Sequence, residues 1–220
     1  MSVTRLPRRG RERSTDSQHL SRARTPAQAR SRERVELILD AAAALVERMP
    51  IEQITMARIA ARAGVSRSSI YQFFPSVFAI YNDLGRRFLD ELLQALREDR
   101  GAREAPTWRE VNACLIRRAV EFYNDRPVAR ALLLGSGSAQ ELRVIDKDYD
   151  RRFAEAAREI LGEKWRVSPI AGHDPLQVAV VLNTSVFSIG VFEEGCISDF
   201  YREQAYRAST GYLESFVREA

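Results

Sequence analysis

Cysteine, histidine and long apolar runs are what this 220-residue chain has least of. Cys114 and Cys196 are too few for a disulfide framework or a ligand cluster, which fits a reducing compartment. The histidines, His19 and His173, belong to no metal or nucleophile constellation, so no metal site and no cofactor are expected. A membrane-spanning helix needs roughly 20 consecutive apolar residues. The nearest candidate, Val178 to Phe192, is interrupted by Asn183, Thr184, Ser185 and Ser188, so no membrane association is expected. The arginines of the N-terminus lead into no apolar stretch of the kind a secretion signal requires, and a cytoplasmic protein is expected. Alternating strand patterns between hairpin turns are lacking, as are internal repeats. The sequence therefore predicts an all-α fold, and 45% apolar residues are enough to bury a core.

The charge is unevenly spread. Residues 1–75 carry 14 arginines against 7 acidic residues, whereas residues 76–220 carry 20 basic and 23 acidic ones. Such asymmetry suits a nucleic-acid-binding front half joined to an ordinary globular back half. Residues 1–24 are arginine-rich and nearly free of apolar side chains, and are expected to form a disordered arm. Thr25-Pro26-Ala27-Gln28 reads as a capping box with proline at the first helical position. From Val35 to Val46 the apolar residues fall at helical spacing, and Pro50 ends the run.

Between Thr55 and Phe74 lie two very short helical segments. Thr55 stands at the first start, Gly64 suits a turn position with positive φ, and Ser66 stands at the second start. Ile59, Ala60, Val65, Ile70 and Phe74 are spaced to lock the two together, which turns polar side chains outward as a groove-reading helix requires. Ser76 opens a longer helix that keeps its period to Gly101. Further breaks are expected at Pro106, Pro127, 135–138, 162–172 and Gly195. The last two helices are placed at 174–194, capped by Asp174, and at 198–218, capped by Ser198.

The run Thr55, Ile59-Ala60, Ala63-Gly64-Val65-Ser66, Tyr71 and Phe74-Pro75-Ser76 resembles the tetracycline-repressor (TetR) type of bacterial transcriptional regulator, over about residues 32–92. The resemblance implies an N-terminal three-helix helix-turn-helix domain at 25–92, with the motif at 55–74. A C-terminal helical bundle for effector binding and dimerisation would occupy 93–220. It implies a homodimer on a palindromic double-stranded DNA operator, with Arg67 to Phe73 of each subunit in successive major grooves. Carried over by position, Thr55, Ser66, Arg67, Ser68, Ser69, Tyr71, Gln72 and Phe73 contact DNA. Arg67 is suited to bidentate reading of guanine and Gln72 to adenine. Where that family usually has Lys and an acid after Pro-Ser, this chain has Val77 and Phe78, so a phosphate contact is missing. The arginine-rich arm is expected to compensate.

Trp108, Phe122, Tyr123, Trp165, Asn183 and Phe187 are the candidates for an effector pocket that would take a small apolar or aromatic molecule. The polar cluster Asn183, Thr184, Ser185 and Ser188 suits either a ligand or a helix crossing. The last two helices are apolar on more than one face and are the candidate dimer surface. The expected function is a ligand-responsive repressor. Control by a protein partner is the alternative within the same class. A small helical enzyme is the alternative outside it, and the sequence lacks the paired carboxylates, metal cluster or nucleophile with a base that it would need.

Overall fold

The structure, a computed structural model, describes residues 26–135, 142–162 and 164–220. The arm at 1–24, Thr25 of the capping box and most of the 135–138 break lie outside the described residues. Ten α-helices and two short strands form among the described residues. Helix α1 (Pro26–Val46) is followed by a 3-10 turn at Ile51–Gln53, α2 (Met56–Ala63), α3 (Arg67–Phe73) and α4 (Val77–Arg97). Then come α5 (Arg100–Glu104), α6 (Trp108–Asp125), α7 (Pro127–Leu133), α8 (Leu142–Leu161), α9 (Pro175–Glu194) and α10 (Asp199–Leu213).

Local chemistry sets most helix boundaries as expected. Thr55 Oγ1 accepts from the Arg58 amide at 3.3 Å, Ser66 Oγ from Ser69 at 3.1 Å and Ser76 Oγ from Ala79 at 3.2 Å. Gly64 closes α2 with φ +67°, a left-handed conformation that a side chain would strain. Four boundaries differ. Helix α4 stops at Arg97, before Gly101, because the Asp99 carboxylate accepts from the Ala102 amide at 2.8 Å and starts α5. Pro127 opens α7 rather than merely interrupting the chain. Ser198 stands at the start of α10, yet its hydroxyl makes no capping bond. That helix ends at Leu213 instead of continuing to 218, because Val217–Glu219 forms strand β2, antiparallel to β1 at Trp165–Val167 with Val217 opposite Val167.

The apolar side chains gather into three cores. The first unites Ile38, Leu39 and Ala42 of α1 with Ile59 and Ala60 of α2, Ile70 of α3, Phe74, and Ile80, Tyr81 and Leu84 of α4. Val128 and Leu132 of α7 complete it, although they lie far beyond residue 92. The second joins the C-terminal half of α4 to α6, α8, α9 and α10 through Leu92, Leu96, Ile116, Phe153, Phe187 and Tyr201. The third packs Trp108, Val111, Leu161, Leu176 and Leu213 beneath the strand pair. Helix α4 runs through the first and second cores and so connects them.

Helix α9 keeps an unbroken helical run through its polar residues. With mean hydropathy 1.6 over its best window it is long and apolar enough to cross a membrane, by length and composition alone. Its interrupting hydroxyls do not break the run, because Thr184 and Ser185 donate to the carbonyls of Val180 and Val181 at 3.0 and 2.8 Å and stay within the helix's own bonding. The helix packs against α8 and α10. Gly190 is where α10 comes closest, since a Cβ there would stand 2.8 Å from Cγ of Tyr201.

Candidate functional site

Helix α3 is held from behind. Ile70 is fully buried, as is Ile59 of α2, with Ala60 and Phe74 nearly so. Val65 is half-buried against the same core. This leaves Arg67, Ser68, Tyr71 and Gln72 exposed along the front, with Ser69 half-buried beside them. The Tyr71 ring is 56% exposed, a high value for an aromatic and one that leaves its hydroxyl available to a phosphate. Ser66 Oγ lies 3.0 Å from Ser68 Oγ, besides capping the helix. Phe73 is half-buried, with its side chain packed against the first core.

Around this front lie Thr55, Arg58 and Arg62, all exposed. The Thr55 hydroxyl is occupied in capping, and Arg58 donates to the sulfur of Met49 at 3.1 Å. At the start of α4, Val77 is half-buried while Phe78 is 45% exposed, so an apolar surface stands where a cation is missing. Tyr81 anchors the approach to α2: its hydroxyl donates to the Ile51 carbonyl at 3.3 Å. Burial, aided by the charge of Glu52, pushes the Tyr81 phenol up to about 12.

The helical body holds a partly open apolar cavity of about 100 Å3, bounded by α4, α6, α8, α9 and α10. Of the six expected pocket residues, Tyr123, Asn183 and Phe187 line it. Tyr123 and Phe187 meet edge-on with ring centroids 6.3 Å apart. Trp108 instead lines a smaller cavity of about 30 Å3 that shares Asn112, Leu115 and Leu176 with the first. Phe122 turns away, with the Arg126 guanidinium 4.2 Å above its ring. Trp165 sits on β1 against the third core. Asn112, Leu92, Leu96, Phe153 and Leu213 line the main cavity and were not picked out from sequence. Asn112 carried one local signal, a polar residue on the apolar face of α6.

The cavity lies close to the joint with the first core. Arg130 of α7 donates to the carbonyls of Tyr123 and Asn124 at 3.2 and 3.0 Å, closing the end of α6. Arg87 of α4 adds surface ties to Asp40 and Glu36 of α1, at 2.9 and 3.4 Å. These ion pairs are solvent-accessible and contribute modestly. Among the described residues no group of His, Cys, Asp or Glu is placed to hold a metal ion.

Comparisons with known proteins agree with this arrangement. The family model described as bacterial regulatory proteins, tetR family, matches residues 38–81, which run from α1 through α3 into α4. The nucleoid occlusion factor SlmA of Idiomarina loihiensis is 30% identical over 136 residues, spanning 60% of this chain and 68% of that protein. Among solved structures, a TetR transcriptional regulator from Rhodococcus sp. RHA1 superposes with TM-score 0.64 at 20% identity, covering 84% of this chain and 97% of its own. SmeT, the repressor of the Stenotrophomonas maltophilia multidrug efflux pump SmeDEF, superposes with TM-score 0.55 at 18% identity, covering 84% and 90%. The reading helix and the helical body behind it are those of a DNA-binding transcription regulator, and the chain belongs to the tetR family of bacterial regulatory proteins.

Proposed function

We propose that the chain is a ligand-responsive repressor that binds a palindromic operator in the cytoplasm as a homodimer. The observation that carries this reading is the exposed front of α3, where Arg67, Ser68, Tyr71 and Gln72 project from a helix whose back is fully buried. Arg67 reads guanine through two parallel hydrogen bonds, Gln72 reads adenine, and Tyr71 and Ser68 hold phosphates. Ser66, Ser69 and Thr55 set the helix starts, close to the backbone of the duplex. The reading domain occupies 25–92 together with α7, and the remainder to residue 220 serves dimerisation and effector binding.

The dimer forms through α9 and α10. Val181, Ile189 and Phe192 of α9 and Phe200 of α10 are 45–75% exposed, an apolar surface that a second copy would bury. The effector occupies the cavity beside Tyr123, Asn183 and Phe187. It acts to the extent that it favours one arrangement of the two reading heads over the other.

Selection of random duplex DNA with the purified full chain, at two salt concentrations, tests the reading. Enrichment of a palindrome that is lost with Arg67→Ala and Gln72→Ala supports it; no enriched sequence, or enrichment indifferent to those changes, overturns it. A second reading, control by a protein partner, is favoured by the small size of the cavity. Pockets that take drug-sized ligands span about 300–1,000 Å3.

A further inference from the structure

The walls of the α4–α6–α8–α9–α10 cavity restrict the chemistry of what it accepts, and the inference rests on the reading of that cavity as the effector site. None of the residues lining it is ionisable to a carboxylate, ammonium, guanidinium or imidazolium. A charged ligand would give up its hydration there and find no counter-charge. The volume of about 100 Å3 sets the scale. An apolar cavity of about 150 Å3 holds a benzene ring, so this one accommodates a single ring or a compact branched molecule with slight adjustment of its walls.

The polar groups on the walls are unequal. Asn112 spends its amide hydrogens on the Ser209 and Thr210 hydroxyls, each at 3.0 Å. The Thr184 hydroxyl donates back along its own helix to Val180. Asn183 Oδ1 is different: it is buried, lies on a lining residue, and has no hydrogen-bond partner. An unpaired buried carbonyl is costly and gains from any donor brought to it. Tyr123, Phe153 and Phe187 present ring faces and edges to the same space, which suits a planar guest.

We infer that the effector is a small, uncharged molecule of one ring or similar bulk, carrying an N–H or O–H group that donates to Asn183 Oδ1. Acids and amines are excluded by the same walls.

Two pairs of near-isosteric probes test this on the unmodified full chain, by calorimetry and by ligand-dependent shifts in melting temperature. Pyrrole and phenol carry a donor; furan and toluene do not. The donors should bind about tenfold more tightly than their partners, and benzoate should not bind. In Asn183→Leu the preference should vanish while toluene still binds. Furan and toluene binding as tightly as pyrrole and phenol, or a preference that survives Asn183→Leu, overturns the assignment of the donor to Asn183 and leaves the cavity reading standing. Binding of benzoate overturns the exclusion of charge. If none of the four neutral probes binds, the cavity is not an effector site and the reading beneath the inference fails.

Discussion

Replacing Gly190 by alanine measures how closely α9 and α10 approach. A Cβ at this position would lie 2.8 Å from Cγ and Cδ2 of Tyr201 and 3.1 Å from its Cβ. Those atoms are at the root of the side chain, so swinging the ring does not clear them. The helices must separate by several tenths of an ångström, and overpacking of this kind costs about 1–3 kcal/mol. Against it stands the helix preference of alanine over glycine, about 1 kcal/mol. The net expectation is a loss of up to about 2 kcal/mol, seen as a fall in melting temperature of up to about 8 °C for a chain of this size. Circular dichroism at fixed protein concentration reads it. Combining Gly190→Ala with Tyr201→Ala should remove most of the penalty of the first change, because Cγ and the ring are gone and only the Cβ contact at 3.1 Å remains. A rise in melting temperature for Gly190→Ala alone, which helix preference by itself would give, refutes the close approach.

Leu132→Ala, a truncation in α7 of a fully buried side chain, should cost about 2–5 kcal/mol in urea unfolding; a loss below 1 kcal/mol would contradict its place in the first core. The Tyr81 phenol is raised to about 12 in the folded chain against 10 unfolded, so the folded state keeps a proton that the unfolded state releases. Its contribution is intact below pH 10 and is lost between pH 10 and 12. Unfolding at pH 9 and pH 11 should therefore show a drop up to about 1 kcal/mol larger for the native chain than for Tyr81→Phe, after discounting for solvent access. Deleting residues 1–24, which carry seven arginines, should weaken DNA binding and flatten its dependence on salt; unchanged affinity at both salt concentrations would remove the arm from the interface.

Helix α3 was legible because its determinants are local. Thr55, Gly64 and Ser66 mark boundaries through bonds or dihedrals within four residues, and Ile59, Ala60, Ile70 and Phe74 declare the buried side by spacing alone. What escaped depends on distant partners. Phe216 and Val217 continue a helical pattern, and only the strand at Trp165–Val167, some fifty residues away, converts Val217 to extended chain. Phe122 and Tyr123 are adjacent in sequence and both aromatic, yet Arg126 engages the first and the cavity receives the second. Gly101 looked like a terminator until Asp99 supplied a cap. The cavity itself takes side chains from five helices, and no window of sequence contains it.

Val128 and Leu132 also bear on how such chains can be recombined. Because two side chains of α7 complete the first core, the unit that holds α3 is not one continuous stretch of chain. A hybrid regulator made by cutting within α4, joining the reading helices of one protein to the body of another, would match α1 and α4 with a foreign α7. Such a hybrid inherits its parents' specificity and response only if α7 travels with the reading helices, or if Val128 and Leu132 are grafted along with them.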